Sequence, residues 1–576
     1  PNFEDAYDWV KAYDPSRPVQ YEQAGQKGKT DIFCPMYYGY EGCEEYSKND
    51  NPRPLIQCEY AHAMGNSIGG FKEYWDLIRK YPKYQGGYIW DFIDQGLRGT
   101  SKVTGKQIWT YGGDYGRFPA SDNNFNCNGV IAPDRSLNPH AYEVQYYYQN
   151  IWATLKDKTT GTVDIYNENF FLPVKGVTLF YVIEAEGTKV SEGTVNINNL
   201  NIAPQSTKTV KIDDIAKALN NATYNGKEIV CNIFFNLDND TPLLKKGETV
   251  AHEQFILREY AFPNLTNTPA TQGDVKVEKH TAYTVFSAAG ADYTFDNNSG
   301  FIAFIDVDGQ PMMEENYELK PDFWRPTTDN DHGASMQRKL RAWYNPTFWL
   351  KEFNYDKNGN DMIVKTKHEV GFHGRGSTTF IYIAYTIKPD GMMIIDERLD
   401  VDENAENKPQ LLRYGMELQM PKYVNQIEFY GKGPQENYID RKDFANIGVY
   451  KQKVKDQYFG YVRPQESGNK TQVRWWKMTD KTGRGLCFFS DNPMECSALP
   501  YLTSDLDPSE NKAQHHSGDL TERSFASVHI AQRQMGIGCV NSWGAWPRKE
   551  YQMPYQDYQF RFAIKQIGRA SCRERV

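Results

Sequence analysis

Pro54-Leu55-Ile56-Gln57-Cys58-Glu59 runs directly into Tyr60-Ala61-His62-Ala63-Met64-Gly65-Asn66-Ser67. An apolar run of strand length ends on a carboxylate, and a glycine-bearing stretch follows it. Phe71, Tyr74, Trp75 and Ile78 then recur at i, i+3, i+4 and i+7, the spacing of an amphipathic helix. Tyr88-Ile89-Trp90-Asp91-Phe92-Ile93-Asp94 reads as the next strand, and Pro18–Glu22 and Asp31–Tyr37 read as two earlier ones. Strand–helix–strand order predicts parallel β/α units over residues 1–150. Four strands are too few to close a barrel, and an open sheet leaves an apolar edge unpaired. The segment therefore reads as the second half of a larger unit.

Outward from this segment the pattern changes. Val177, Leu179, Tyr181, Ile183 and Ala185 alternate, and Glu228–Phe235 is a second β run, so residues 151–265 read as an antiparallel sandwich. Phe262–Thr271 is rich in Thr, Asn and Pro and reads as a linker. From 272 to 566 the chain is β again, Met392–Leu399 being one example, with one short helical stretch at Arg338–Tyr344. That predicts a large two-sheet sandwich. Phe3, Tyr7, Val10 and Tyr13 put a helix at the very start, so the sequence opens inside an element and reads as truncated. Tyr558, Phe560, Phe562 and Ile564 form a last strand, and 567–576 breaks the pattern and reads as a non-native tail.

Of 576 residues, 39% are hydrophobic and 24% charged, the balance of an ordinary folded protein. A net charge of −9 without long basic runs argues against nucleic-acid binding, and no 18-residue apolar stretch predicts a membrane helix. Aromatics reach 14%, which suits cross-strand packing and sugar stacking alike. Nine cysteines without a CxxC pair argue against a zinc site or disulfide scaffold and read as small buried residues. No GxGxxG, Walker, GxSxG or HExxH motif occurs. His515-His516 reads as an exposed loop pair.

In parallel β/α architectures the functional groups sit at the C-terminal ends of strands. Glu22, Glu59, Asp91 and Asp94 meet that condition. Glu59, beside His62 and Asn66, has what a glycosidase nucleophile needs: a carboxylate with donors for sugar hydroxyls nearby. The plainer alternative makes Glu59 a salt-bridge anchor and gives Glu22, Asp91 and Asp94 structural or supporting roles.

Ile56–Ser67 resembles the nucleophile segment of the large bacterial β-galactosidases of glycoside hydrolase family 2. The resemblance continues through Asp14–Glu22, Cys34–Tyr37, Gln85–Asp91, Tyr111–Asp114, Thr328–Asp331, Gly431–Tyr438, Met535–Gly538 and Ser542-Trp543, and covers residues 1–566. It implies a multidomain fold: the C-terminal half of a TIM (β/α)8 barrel (1–150), an immunoglobulin-like β-sandwich (151–265) and a β-supersandwich (272–566). It implies that Glu59 is the nucleophile of a retaining enzyme acting on terminal β-galactosides of the lactose type. Tyr37, His62, Trp90, Asn128 and Trp543 then bind substrate, and the Phe125 carbonyl and Asn128 hold sodium (Na+). The resemblance also implies magnesium (Mg2+), but it places the principal magnesium ligands and the acid/base, in a Gly-Asn-Glu motif, upstream of Pro1. Ser121 stands where some members have a further magnesium ligand. On this reading residues 1–576 alone are inactive and the longer protein is a homo-oligomer. A β-glucuronidase or β-mannosidase of the same family and a non-catalytic galactoside-binding protein are the rival readings. The compartment is open between cytoplasm and periplasm.

Overall fold

The computed structural model describes residues 2–116, 121–372, 375–507 and 510–568. The chain is mostly β and multidomain. Strand β1 (Leu55–Tyr60) pairs in parallel with β2 (Tyr84–Ile89), Leu55 facing Tyr84 and Tyr60 facing Ile89. On the other side of β1, Phe33 and Met36 form parallel bridges to Leu55 and Glu59. Beyond β2, Ile93 bridges Ile131, also in parallel. Helices α1 (Asn2–Tyr13), α2 (Tyr40–Lys48), α3 (Phe71–Lys80) and α4 (Ala141–Tyr147) lie among these segments. Phe71 and Tyr74 of α3 are buried against Tyr40, Cys43, Leu55, Tyr60 and Tyr84, while Trp75 and Ile78 pack at the margin of that core. The apolar stripe read from the sequence is thus the face that covers the parallel strands.

Three expected strands differ in detail. Pro18–Glu22 is not a strand; irregular chain leads into a 3-10 turn at Glu22–Ala24. Pro18 has no N–H, and the Val19 N–H is taken by the Asp31 side chain at 2.8 Å, so the backbone bond to the next segment is Asp31 N–H to Val19 O at 2.8 Å, and the Tyr21 and Glu22 carbonyls accept within the local turn. Asp31–Tyr37 is reduced to bridges, since Pro35 cannot donate to a ladder. The strand expected at Tyr88–Asp94 runs instead from Tyr84 to Ile89, through Gly86-Gly87. Glycine is needed there because a Cβ on Gly87 would lie 2.9 Å from the Tyr60 ring. Trp90, Asp91 and Asp94 consequently stand beyond the strand end rather than within it.

Residues 151–258 form two antiparallel sheets. Ile151–Asp157, Thr162–Asn167 and Ser206–Lys211 make one, and Thr249–Arg258, Ile229–Leu237, Val177–Ala185 and Thr188–Val195 the other. Val163, Ile165 and Val210 of the first share a core with Leu179, Ile183, Ile233, Phe235 and Leu257 of the second. Phe262–Thr271 carries no helix or strand, and its Leu265 is buried against Ile394, Phe489 and Ala563.

A five-stranded antiparallel sheet over Lys276–Pro311 and a curled twelve-stranded sheet over Lys320–Ile567 complete the described residues. Phe286, Phe295 and Ile305 share a core with Tyr385, Ile395, Met416, Val528 and Phe562. The strand Tyr558–Ile567 lies between Gly485–Leu499 and Met393–Asp400, in the middle of the large sheet. Ile567, expected in the tail, pairs with Gly485 and ends this strand; 569–576 lie outside the described residues. The helical stretch expected at Arg338–Tyr344 is a short helix Met336–Lys339 and a 3-10 turn Arg341–Trp343. Another short helix, Asp329–Gly333, is capped by the reciprocal bonds of Thr328 and Asp331. The eight described cysteines are unpaired and all but Cys58 are buried. Among the described residues no helix is long and apolar enough to cross a membrane.

Arg474 of the large sheet donates to both oxygens of Glu228, at 3.0 and 2.7 Å, and both side chains are buried. Tyr430 and Tyr260 face the guanidinium at 5.6 and 6.0 Å. This pair bolts the middle segment to the large sheet. Glu228→Gln leaves the Arg474 charge buried and unpaired, and should lower unfolding stability by about 3–5 kcal/mol. Urea denaturation measures it, and a loss below about 1 kcal/mol would show that the pair does not hold the two segments.

Candidate active site

Glu59 stands half-buried at the C-terminal end of β1. Tyr37 comes from the neighbouring extended segment, where its N–H donates to Glu59 O at 2.8 Å. Its backbone has φ 50°, a left-handed conformation uncommon for a non-glycine residue. In that conformation Tyr37 Oη donates to Glu59 Oε2 at 2.6 Å. Burial and the adjoining carboxylate hold the phenol proton well above its ordinary range, so Tyr37 stays a donor. No described residue donates a hydrogen bond to Glu59 Oε1.

Ala61, at φ 51°, turns the chain out of β1 and delivers His62. His62 is buried, and Nδ1 lies 2.6 Å from Ser542 Oγ. Burial pushes its imidazole down to about 4, so it is neutral at physiological pH. Trp543 follows Ser542 and meets Tyr37 edge-on at 4.6 Å and His62 at 5.1 Å between ring centroids. Phe125 lies 5.8 Å from the His62 ring and 6.4 Å from Trp543. Trp543 nevertheless remains 48% exposed, which leaves aromatic surface free for a ligand. Tyr37, Glu59, His62, Phe125 and Trp543 are thus brought together across most of the chain.

Trp90 and Asn128 flank this group. Trp90 follows β2, is 40% exposed, and is tied to it through Ala63 N–H to Trp90 O at 2.9 Å. Asn128 is buried; its carbonyl accepts Asp91 N–H at 2.7 Å and its Nδ2 donates to Phe125 O at 2.6 Å. Its Oδ1 is buried without a hydrogen-bond partner. Ser121 is exposed and its hydroxyl caps Asn123 N–H at 3.1 Å.

Of the other strand-end carboxylates, Asp94 is buried and accepts from Gly129 N–H at 2.7 Å and Asn138 Nδ2 at 3.1 Å. Burial pushes it up to about 7. Asp91 accepts from Gln95 Nε2 at 2.9 Å, and burial raises it too. Neither is hydrogen-bonded to Glu59 or His62 among the described residues, and Asp91 Oδ1 is buried without a partner. Glu22 is half-buried in its 3-10 turn and joins none of the bonds described around Glu59.

Two features were not readable in the sequence. Asp329 is buried with Lys512 at 2.7 Å, Gln465 Nε2 at 2.9 Å and Asn124 Nδ2 at 2.9 Å. Burial alone would raise this carboxyl; Lys512 and Arg463 overcome it and hold it well below the usual range. Lys512 Nζ also sits 5.7 Å from the Phe125 ring, which places a cation beside the His62–Phe125–Trp543 cluster. Asp329 lay in a recognisable Thr-Asp-Asn-Asp run, whereas Lys512 carried no signal. The second feature corrects an expectation: His516 is not an exposed loop residue. It is buried between Asp114 at 2.9 Å and Asp519 at 3.1 Å, against the Tyr111 ring, and His515 is half-buried. The polar loop is covered because it docks on a turn 400 residues earlier, which local sequence does not report.

Three family models match in chain order: the glycosyl hydrolases family 2 TIM barrel domain over residues 1–153, β-galactosidase domain 4 over 163–258, and the β-galactosidase small chain over 287–564. The β-galactosidase of Halalkalibacterium halodurans is 33% identical over 574 residues, covering 97% of this chain and 54% of the relative. Those of Priestia megaterium and Vibrio vulnificus are 30% and 29% identical, covering 98% of this chain and 53% and 55% of the relatives. The chain spans about half the length of the curated relatives it matches. With matched segments for each of its three β and β/α units, the chain belongs to glycoside hydrolase family 2, and the relatives it matches are β-galactosidases.

Proposed function

We propose that this chain carries the nucleophile side of a retaining β-galactosidase, with Glu59 attacking the anomeric carbon of a terminal β-galactoside. The observation that carries this reading is the Tyr37–Glu59 hydrogen bond at the end of β1. Tyr37 occupies Oε2 and keeps the carboxylate in one orientation, so Oε1 is the attacking oxygen. Displacement of the aglycone forms a galactosyl ester on Glu59, and water then cleaves it with overall retention. His62 offers a neutral imidazole to a sugar hydroxyl, and Trp90 and Trp543 offer ring surface to the sugar and aglycone. The names of the relatives support galactosides as the substrate class.

On the same reading 1–150 is the C-terminal half of a TIM barrel, 151–265 an immunoglobulin-like sandwich and 272–566 a supersandwich; their separate cores support that division. Phe125 O and Asn128 would hold a sodium ion, for which the buried, unpartnered Asn128 Oδ1 is a fitting ligand. The ion would supply positive charge against a sugar hydroxyl oxygen. Magnesium finds no such fit here: among the described residues no cluster of three His, Cys, Asp or Glu side chains could hold a metal.

Retaining hydrolysis needs a second carboxyl group about 5 Å from the first, acting as acid. We assign that acid to a segment outside residues 1–576, which contain no Gly-Asn-Glu. A galactoside with an activated leaving group needs little acid assistance, whereas an unactivated one loses a factor of about 10²–10⁴ without it. An activated 2-fluorogalactoside should therefore label the peptide containing Glu59, read by mass spectrometry, and Glu59→Gln should abolish labelling. Hydrolysis of methyl β-galactoside by the chain, lost in Glu59→Gln, would place the acid within 1–576. Label on another residue would remove Glu59 from the role.

His62 gives a second measurement. Its pKa falls from 6.5 to about 4 on folding. Between those values the unfolded chain binds a proton that the folded chain refuses. The stability contributed is therefore complete above pH 6.5 and is lost as the pH falls to about 4. His62→Gln should make the loss shallower in that window, by up to about 1.4 kcal/mol per pH unit. Urea titrations at several pH values test this, and parallel curves would contradict a neutral His62.

A further inference from the structure

His62 is held from behind by a chain of hydrogen bonds whose directions can be worked out. Asn330, in the short helix Asp329–Gly333, donates through Nδ2 to Ile537 O at 3.0 Å and Gly538 O at 3.2 Å. Its amide cannot be turned over, because that would aim Oδ1 at two carbonyl oxygens. Oδ1 is thus an acceptor, and it lies 2.6 Å from Ser542 Oγ. A hydroxyl has one proton to donate, and Ser542 gives it to Asn330. Towards His62 the hydroxyl has only a lone pair left. The 2.6 Å contact between Ser542 Oγ and His62 Nδ1 therefore requires hydrogen on Nδ1. Asn330, Ser542 and His62 are all buried, so the bonds are shielded from exchange with bulk water.

We propose that Asn330 and Ser542 form a positioning pair that fixes His62 as the Nδ1–H tautomer, so that Nε2 presents a lone pair to the cleft and accepts a hydrogen bond from a sugar hydroxyl. The tautomer stands on its own; the identity of the ligand rests on the galactoside reading above. An imidazolium also carries hydrogen on Nδ1; burial of the ring, at 2% exposure, disfavours that charge and leaves Nε2 unprotonated. The other ring nitrogen of a histidine is commonly set by the bond its partner makes, and here that bond comes from a segment 480 residues away. No described residue forms a hydrogen bond with Nε2, and the ring is bordered by Tyr37, Phe125 and Trp543.

The consequence is a specificity device. An acceptor nitrogen recognises a hydroxyl as a donor. Fluorine or a methyl ether at the same carbon accepts but cannot donate, and sets lone pair against lone pair. A site built to bond a hydroxyl rejects the analogue that lacks its proton more strongly than it would a mere change of size.

Selective 15N-histidine labelling of the whole chain tests the tautomer, with the His62 signal identified by its loss in His62→Gln. At pH 7 the expected spectrum has a protonated Nδ1 and an unprotonated Nε2. Ser542→Ala should move or average that pattern, and Ser542→Thr, which keeps the hydroxyl, should restore it. A protonated Nε2 or an imidazolium in the wild-type spectrum overturns the proposal, whether or not Ser542→Ala folds. An unchanged His62 pattern in a folded Ser542→Ala overturns the role of the pair. Titration with methyl β-galactoside should shift Nε2, and one of its monofluorinated analogues should bind about tenfold more weakly than the parent. Equal binding of every fluorinated analogue overturns the acceptor role. An Nδ1–H pattern in a chain that binds no galactoside instead retires the galactoside reading and leaves the tautomer in place.

Discussion

The loop that follows β1 has backbone groups that its own segment does not satisfy, and the arrangement of the site depends on how they are met. Asn66 N–H donates to Gln465 Oε1 at 2.9 Å, Gly69 N–H to Gly538 O at 2.8 Å and Gly70 N–H to Asp440 O at 2.6 Å. Arg441 reaches back to Ser67 O at 2.7 Å. A buried polar group left unmet costs roughly 1–3 kcal/mol, so this loop is stable only when the large sheet is seated on it. The glycines are the condition for that seating. A Cβ on Gly65 would overlap Asp329 and Gln465, and one on Gly69 would overlap Asp440. Their absence of side chain serves close approach between distant segments as much as it serves the turn.

Seating brings charge with it. Arg325–Asp331 and Arg441–Glu436 are ion pairs at or near complete burial beside this contact, and the partly covered Lys512 pairs with the buried Asp329. Such pairs are poor sources of net stability, because removing two charges from water costs about as much as their attraction returns. They are strict about geometry, though, since either partner left alone is strongly unfavourable. These pairs lie within the large-sheet segment and fix the shape of its loops, while hydrogen bonds such as Asn66 N–H to Gln465 Oε1, Arg441 to Ser67 O and His62 to Ser542 cross to the β/α segment.

What the sequence disclosed follows from the range over which each feature is determined. The alternation of Val177–Ala185 and the stripe of Phe71, Tyr74, Trp75 and Ile78 are local, and both match the buried faces observed. Glu59 was legible because a carboxylate after an apolar strand is itself a local anomaly. Pro18–Glu22 misled because its strand-like composition concealed a missing N–H and a donor captured by Asp31. His516 misled for the opposite reason: a polar context was exposed only until a turn from the start of the chain covered it. Lys512 was invisible, as a lone lysine in a polar loop has no distinguishing pattern. The site is half local and half long-range, and only the local half can be read from spacing.

The position of Tyr558–Ile567 in the middle of the twelve-stranded sheet bears on how the molecule is made. Synthesis proceeds from the N-terminus, so Met393–Asp400 and Gly485–Leu499 emerge long before the strand that joins them. Until it arrives, each presents an open edge of unpaired N–H and C=O groups, and the halves of the sheet can meet other chains instead of one another. Closure is a non-local event of the slowest kind, since 171 residues separate Met393 from Ile564, its partner. A chain cut before Tyr558 would have its largest sheet split down the middle. For this fold, the vulnerable interval lies between the emergence of Leu499 and that of Tyr558–Ile567.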